Sequence, residues 1–150
     1  LLLISCGPYS FSGKALRGID TVAIPLFENQ TTRYGIREEL TGEITDAVIE
    51  DNTLKVVNVR NADSALRGVI TEYRHECYTF DGSGNCSEYI CRIFVNITFE
   101  DLEKKEVIWE EIALEGYGIY SASDDTEEDG IESAIDKLAR DILDKLVKGW

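Results

Sequence analysis

The sequence predicts an α+β fold: a two-layer sandwich with two helices on one face of a four- or five-stranded, mostly antiparallel sheet. Residues 88–101 alternate apolar and polar side chains with few interruptions, which is the pattern of a long, half-buried strand. Helical apolar periodicity occurs only near the two ends of the chain, so helices are expected to cover one face of that strand. The predicted element order is β-α-β-β-β-β-α.

The first half of the chain predicts one strand, one helix and two further strands. Val22, Ile24 and Leu26 alternate with smaller residues, and Pro25 places this strand at a sheet edge or ends it. Apolar residues recur every fourth position from Ile36 and predict a helix over 34–51. A short strand is expected at 54–59 and a longer one at 65–80.

The second half predicts a hairpin, one more strand and a closing helix. The loop 81–85 offers several two-residue turns and leads into the strand over 88–101. A last strand is expected at 107–114, followed by a loop over 116–129. The closing helix has an apolar seam and ends before Gly149. The seam consists of Ile131, Ile135, Leu138, Ile142 and Leu146.

Charge and composition exclude two kinds of binding site. The 150 residues include 15 Lys and Arg against 29 Asp and Glu, a formal net charge of -14, which repels nucleic-acid phosphates. The acidic run at 124–129 lacks the glycine and alternating ligands of a calcium loop, so we interpret it as the charged start of a helix. We therefore expect no nucleic-acid partner, no metal and no cofactor.

The N-terminal run Leu3-Ile4-Ser5-Cys6 resembles the lipobox of bacterial lipoproteins, in which the chain is cut before a cysteine that becomes acylated. This resemblance implies the end of a signal peptide at 1–5, a lipidated tether at 6–18 and a single domain at 19–150. The sequence contains no Met, so we expect the true N-terminus to lie upstream. The alternative is a buried apolar strand with an incidental Cys6.

The sequence disfavours an enzyme because it has few residues of the types that carry nucleophilic catalysis. His75 is the single histidine, and Cys77 shares its predicted strand face. A thiol or hydrolytic enzyme would need this pair, yet a hairpin strand supplies neither a helix dipole nor an evident orienting acid. We expect His75 to be a cross-strand partner of Glu88 instead.

Several stretches, in order along nearly the whole chain, resemble the LPS-assembly lipoprotein family of LptE-type proteins. They include residues 22–29, 51–54, 65–68, 83–85, 107–111 and 146–150. The resemblance implies a lipid-anchored lipoprotein on the periplasmic side of the outer membrane. It would plug and help assemble an LptD-type barrel that delivers lipopolysaccharide to the outer leaflet, with no enzymatic activity. The alternative is a periplasm-facing lipoprotein that binds a small ligand or tethers envelope components.

The sheet face away from the helices is the candidate partner surface, because it mixes aromatic, apolar and polar side chains. The candidate partner residues are Tyr73, Ile90, Arg92 and Phe94. The basic residues of the long strands, Arg67, Arg74 and Arg92, are too few to identify a lipopolysaccharide site. An ordinary solvated back of an antiparallel sheet is the alternative interpretation.

Cys77 and Cys86 are the candidate disulfide. A two-residue turn at Asp81-Gly82 would place them opposite each other, with Ile70 facing Ile93. In an oxidising envelope this bridge would contribute on the order of 2–3 kcal/mol, while Cys91 stays a buried thiol. Turns at Gly82-Ser83 or Ser83-Gly84 would also keep the apolar residues of both strands on the helix-covered face, but they would not place Cys77 opposite Cys86. The alternative is that all three cysteines are unbridged.

Overall fold

A computed structural model describes residues 18–148 of the protein. In chain order they form β1 Thr21–Ala23, β2 Glu28–Asn29, α1 Ile36–Asp51, β3 Lys55–Val56, a 3₁₀ turn Val59–Asn61, β4 Ser64–Phe80, β5 Cys86–Asp101, β6 Glu106–Ser121 and α2 Glu127–Lys148. The strands run in the order β3-β1-β4-β5-β6, and β2 also pairs with β4. The predicted α+β sandwich, with two helices and a mostly antiparallel sheet, is confirmed.

The three long strands build the sheet, and the short ones complete its other side. β4 pairs antiparallel with β5, and β5 pairs antiparallel with β6. β1 pairs parallel with both β3 and β4, and it ends before Pro25, which cannot donate a ladder hydrogen bond.

Helix α1 forms where its apolar period predicts it. Ile36, Leu40, Ile44 and Val48 are all buried. The helix is preceded by Gly35 at φ 87, and its C-cap Asn52 at φ 61 donates its N–H to the carbonyl of Val48.

Helix α2 lies directly on the backbone of β6. Every residue of its predicted seam is buried, and its first turn carries acidic residues that complement the helix dipole. A Cβ on Gly118 would lie 2.0 Å from the carbonyl oxygen of Gly130, and one on Gly116 would lie 2.4 Å from that of Ala134. The two layers therefore approach closely because both strand positions are glycine.

The core lies between the sheet and the helices. Ile93, Val95, Ile97 and Phe99 alternate along β5 and are completely buried, as the period-two pattern predicts. They share one hydrophobic cluster with Leu138 and the other buried residues of α2. Burial of one such side chain stabilises the fold by about 1.5–3 kcal/mol.

Two predicted elements have other bounds in the structure. The last strand continues through Gly116 and Gly118 to Ser121, and α2 begins at Glu127, so the predicted loop over 116–129 is wrong at 116–121 and at 127–129. The predicted strand over 54–59 pairs only at Lys55–Val56 and then gives way to the 3₁₀ turn. In both places contacts with other elements, rather than local sequence, decide where the strand ends.

The hairpin register is also different from the predicted one. Asp81 donates its N–H to the carbonyl of Asn85 at 2.8 Å, and Gly84 at φ 84 donates to Asp81, so Asp81-Gly82 is not a two-residue turn. Ile70 faces Val95 instead of Ile93, and β4 contains bulges near Thr71 and between Cys77 and Thr79. A bulge inserts one residue and reverses the faces that follow it.

Candidate functional site

The sheet face opposite the helices, called the back face here, is the candidate partner surface. Three of the predicted residues lie on it, in the middle of the sheet. Phe94 stands between Glu72 and Glu115, Arg92 between Arg74 and Tyr117, and Ile90 between Glu76 and Ile119. Ile90 is only 3% exposed and offers a partner little surface, whereas Ile119, its neighbour on β6, is 36% exposed.

Three ion pairs lie on the back face, two of them between neighbouring strands and one, Arg74 with Glu72, within β4. Arg67 Nε lies 2.6 Å from Glu100 Oε1, and Arg74 Nε lies 2.6 Å from Glu72 Oε1. Arg92 forms an ion pair with Glu115, and the Arg74 guanidinium lies 5.2 Å from the centre of the Phe94 ring. The back face thus presents paired charges around an aromatic side chain, a mixture typical of non-obligate interfaces.

Tyr73 does not belong to the back face, and its prediction as a partner residue is wrong on this point. It pairs with Ile93, which is buried on the helix side, so both side chains point towards the helices. The cause is the bulge near Thr71, which allows Ile70 and Tyr73 to occupy the same face despite their odd spacing.

Instead, Tyr73 anchors the start of α2. Its hydroxyl lies 2.6 Å from Glu127 Oε1, to which it donates, and 3.5 Å from the sulfur of Cys91. Arg33 Nη1 lies 3.4 Å from the same Glu127 oxygen, and Arg33 Nη2 lies 2.9 Å from Glu128. Burial is the main cause that raises the pKa of Tyr73 above its ordinary value, with the contacts to Cys91 and Glu127 adding to it. Burial likewise raises the pKa of the Cys91 thiol.

His75 lies on the helix side as well, in a stack of aromatic rings. Its Nε2 is 2.6 Å from the hydroxyl of Tyr120, and its ring centre lies 5.0 Å from that of Tyr89. It faces Cys91 across the hairpin, so its predicted pairing with Glu88 is wrong. Cys77 is bridged and the Cys91 thiol is held protonated by burial, so neither offers the thiolate that a nucleophilic mechanism needs.

A disulfide joins Cys77 and Cys86 in the structure, with their Cα atoms 5.8 Å apart. The two residues are not paired in the ladder, where Cys77 faces Tyr89 and Cys86 faces Phe80. The bridge crosses the bulged end of the hairpin, and Cys91 is buried and unbridged. The pairing of cysteines thus coincides with the predicted one, although the register used to predict it does not.

Comparison with known proteins identifies the family. The family model described as LptE, lipopolysaccharide-assembly, matches residues 19–146. The chain belongs to this family. LptE proteins form an assembly family of the bacterial envelope and are not an enzyme family. No curated protein matches the chain in sequence.

Solved structures share the fold of this LptE-family chain at low sequence identity. The hypothetical protein CT253 from Chlamydia trachomatis is 12% identical, with a TM-score of 0.66 over 88% of this chain and 97% of that one. The rare lipoprotein B from Shewanella oneidensis is 20% identical, with a TM-score of 0.53 over 83% and 92%. PelC from Paraburkholderia phytofirmans, solved as a dodecamer, is 17% identical, with a TM-score of 0.55 over 85% and 87%.

Two grooves of this LptE-family chain lie between the helices and are acidic, whereas a smaller one of about 280 Å³ beside β1 is lined by Ile24, Pro25 and Val57. One groove of about 460 Å³ is lined by Glu43, Asp46, Glu50 and Asp136 above Ala139, and a neighbouring one of about 480 Å³ is lined mainly by carboxylates. Small-molecule sites are usually apolar and enclosed, so these open acidic grooves do not favour the small-ligand alternative. Within residues 18–148 no group of three or more His, Cys, Asp or Glu side chains is arranged to hold a metal.

Sequence reasoning missed several residues of the site. Glu115 and Tyr117 of the back face lay next to or in the predicted loop, and Arg33 of the Tyr73 cluster lay between the predicted first strand and first helix. The acidic start of α2 was a signal for a cationic partner such as Arg33, but nothing in the sequence identified which cation. The lipidation candidate Cys6 lies outside the described residues. Neither helix in the described part of the chain is long and apolar enough to cross a membrane.

Proposed function

We propose that this protein is an outer-membrane lipoprotein that plugs and helps assemble the LptD-type β-barrel for lipopolysaccharide transport. It is anchored through acylated Cys6 and faces the periplasm. The match of the LptE family model to residues 19–146 is the observation that carries this proposal. In this role the protein takes part in delivering lipopolysaccharide to the outer leaflet, and the barrel is its principal partner.

The geometry of the sheet supports a role as a plug. The helices cover one face, which leaves the back face with Phe94 and its ion pairs open to a partner. A barrel lumen is polar and lined by alternate side chains of its strands, so a surface of paired charges and a few apolar groups is a suitable complement. The disulfide between Cys77 and Cys86 is consistent with an oxidising envelope compartment.

The charges of the back face favour a protein partner over direct binding of lipid phosphates. Arg67, Arg74 and Arg92 each have a glutamate within ion-pair distance. A phosphate would have to displace that glutamate and approach a chain of formal net charge -14. In this proposal lipopolysaccharide passes through the complex without relying on these three side chains.

The substitution Phe94→Glu tests the partner surface. It places a carboxylate between Glu72 and Glu115, so we expect barrel capture to fall by about tenfold or more while the domain stays folded. Affinity purification of the full chain from detergent-solubilised envelope measures capture, and circular dichroism monitors folding. Tyr34→Glu is the matched control, because Tyr34 is 95% exposed in the segment before α1. Equal capture by both variants and wild type would exclude the back face as the barrel contact.

The substitution Cys6→Ala tests the anchor. Because the thiol is the site of acylation, the variant precursor should take up no labelled fatty acid and should leave the membrane fraction. Cys91→Ala is the control: its thiol is buried in the core, so this variant should label like wild type. A Cys6→Ala variant that still takes up label, or a wild-type protein that takes up none, would show that Cys6 is not the anchor.

A further inference from the structure

The strand β6 forms a long unpaired edge of the sheet. It is last in the strand order and pairs with β5 on one side along Glu106–Ser121. Its other side pairs with no strand among residues 18–148, so its outward N–H and C=O groups make no ladder hydrogen bonds there. On the other side of the sheet β3 is only two residues long, and beyond Ile70 the strand β4 pairs with β5 alone. Short edges are a usual protection against strand addition, and β6 does not have it.

The side chains of β6 itself do not protect this edge, although two lysines of α2 reach the strand: Lys137 Nζ lies 5.6 Å from the centre of the Tyr117 ring, and Lys145 Nζ lies 3.2 Å from Glu111. Proteins commonly protect an edge strand with Lys or Pro, and Glu106–Ser121 contains no Lys, Arg or Pro. Four of its large apolar side chains are exposed. Their exposed fractions are 57% for Val107, 63% for Ile112, 44% for Tyr117 and 36% for Ile119. A bulge with Ala113 at φ 55 interrupts the strand, but Leu114 to Ser121 pair with β5 without a shift.

The charges of β6 indicate the chemistry of the partner. The strand carries four carboxylates, of which Glu115 is paired with Arg92 and Glu111 with Lys145 of α2. Glu106 and Glu110 have no ion pair among residues 18–148, and Glu110 lies on the back face. On the back face, Val107, Tyr117 and Ile119 share the surface with Glu110 and Glu115, because their partners on β5 lie on that face. A second copy of this chain would bring the same carboxylates alongside each other, which destabilises a strand pair. A strand with alternating apolar and basic side chains would complement both the apolar and the acidic groups.

We propose that β6 accepts an extended strand of another protein by β-augmentation, and that this strand alternates apolar side chains with Lys or Arg. Main-chain hydrogen bonds to the β6 edge hold it, and its side chains contact Tyr117, Ile119 and the unpaired Glu110 on the back face. The added strand extends the sheet by one member beside β6. This inference concerns the edge of the sheet and does not require that the partner is the barrel.

Binding of model peptides to the full-length protein tests this inference. The probes are two labelled peptides of about ten residues, one alternating Val and Lys and the other alternating Val and Glu. We expect the Val-Lys peptide to bind at least about tenfold more tightly in fluorescence anisotropy. Amide hydrogen exchange should slow along β6 when this peptide binds, because it caps the outward N–H groups.

Substitutions separate edge pairing from general attraction to an acidic protein. Ile119→Lys places a lysine on the edge strand, which is a usual protection against strand addition. It should weaken binding of the Val-Lys peptide by about tenfold or more. Val59→Lys is the matched control, because Val59 is 45% exposed in the 3₁₀ turn beyond β3, and it should change little. Should Ile119→Lys fail to fold, Ile112→Lys makes the same test at a side chain that is 63% exposed.

Several outcomes would overturn the inference. These are equal loss of binding in the edge variant and the Val59→Lys control, protection of amides away from β6, and absence of peptide binding. Pairing of β6 with a second copy, seen as a dimer by sedimentation that the edge variant abolishes, would also overturn it. None of these outcomes involves the barrel, so barrel capture with Phe94→Glu remains a separate test of the proposed function.

Discussion

Gly118→Ala is expected to lower the free energy of unfolding by roughly 3 kcal/mol or more, or to prevent folding. The added Cβ would lie 2.0 Å from the carbonyl oxygen of Gly130 and 2.7 Å from the Cβ of Ser133. Both belong to α2, so relief of the clash requires the helix to move away from the sheet. That movement would also loosen the packing of Leu138, which is completely buried. Urea denaturation of the purified protein measures the change.

Gly42→Ala is the matched control with the opposite expected sign. Gly42 lies inside α1, and a Cβ there meets nothing within 4 Å. Alanine should therefore stabilise the protein by about 0.5–1 kcal/mol through its higher helix propensity. Comparable stability of Gly118→Ala and wild type would show that the close approach of α2 to β6 is not required for the fold.

The elements with an unbroken hydrophobic period could be predicted from the sequence. The stripe of α1 from Ile36 to Val48 and the buried face of β5 from Ile93 to Phe99 lie where their periods place them. In both elements one face is covered by the other layer, so burial requires the pattern that the sequence shows. The fold class follows, because helices at the two ends of the chain cover only one side of the sheet.

Features that depend on contacts between elements could not be predicted. Gly116 and Gly118 indicated a loop, since glycine is frequent in turns, but their missing side chains serve the contact of β6 with α2. The bulges of β4 leave no clear local signal, so Tyr73 was predicted on the wrong face.

The candidate site was also predictable only in part. Phe94, Arg92 and Ile90 lie opposite the helices as predicted, because β5 has no bulge between them. Their contacts with Glu72, Glu115 and Ile119 depend on the registers of β4 and β6, which the sequence did not determine. The mixed character of the surface was therefore predictable, whereas its ion pairs were not.

Alkaline pH should unfold the protein through the cluster beneath the start of α2. Burial raises the pKa of Tyr73, Cys91 and Tyr120 above their ordinary values of 10.0, 9.0 and 10.0. The folded protein keeps these protons while the unfolded chain releases them, so their contribution to stability is complete below the ordinary pKa values and falls as pH rises above them. Each group lowers the free energy of unfolding by up to about 1.4 kcal/mol per pH unit in that range. Urea midpoints measured between about pH 7 and 11 should therefore fall steeply above about pH 9.

Tyr73→Phe identifies the contribution of one group to this loss. At neutral pH the variant should be less stable by about 1 kcal/mol, because the hydrogen bond to Glu127 is absent. Above about pH 10 its stability should fall less steeply than that of wild type, since one ionising group of the unfolded chain is removed. Tyr34→Phe removes a tyrosine that is 95% exposed and should leave the slope unchanged. A slope that is the same in wild type and both variants would show that ionisation of Tyr73 is not coupled to unfolding.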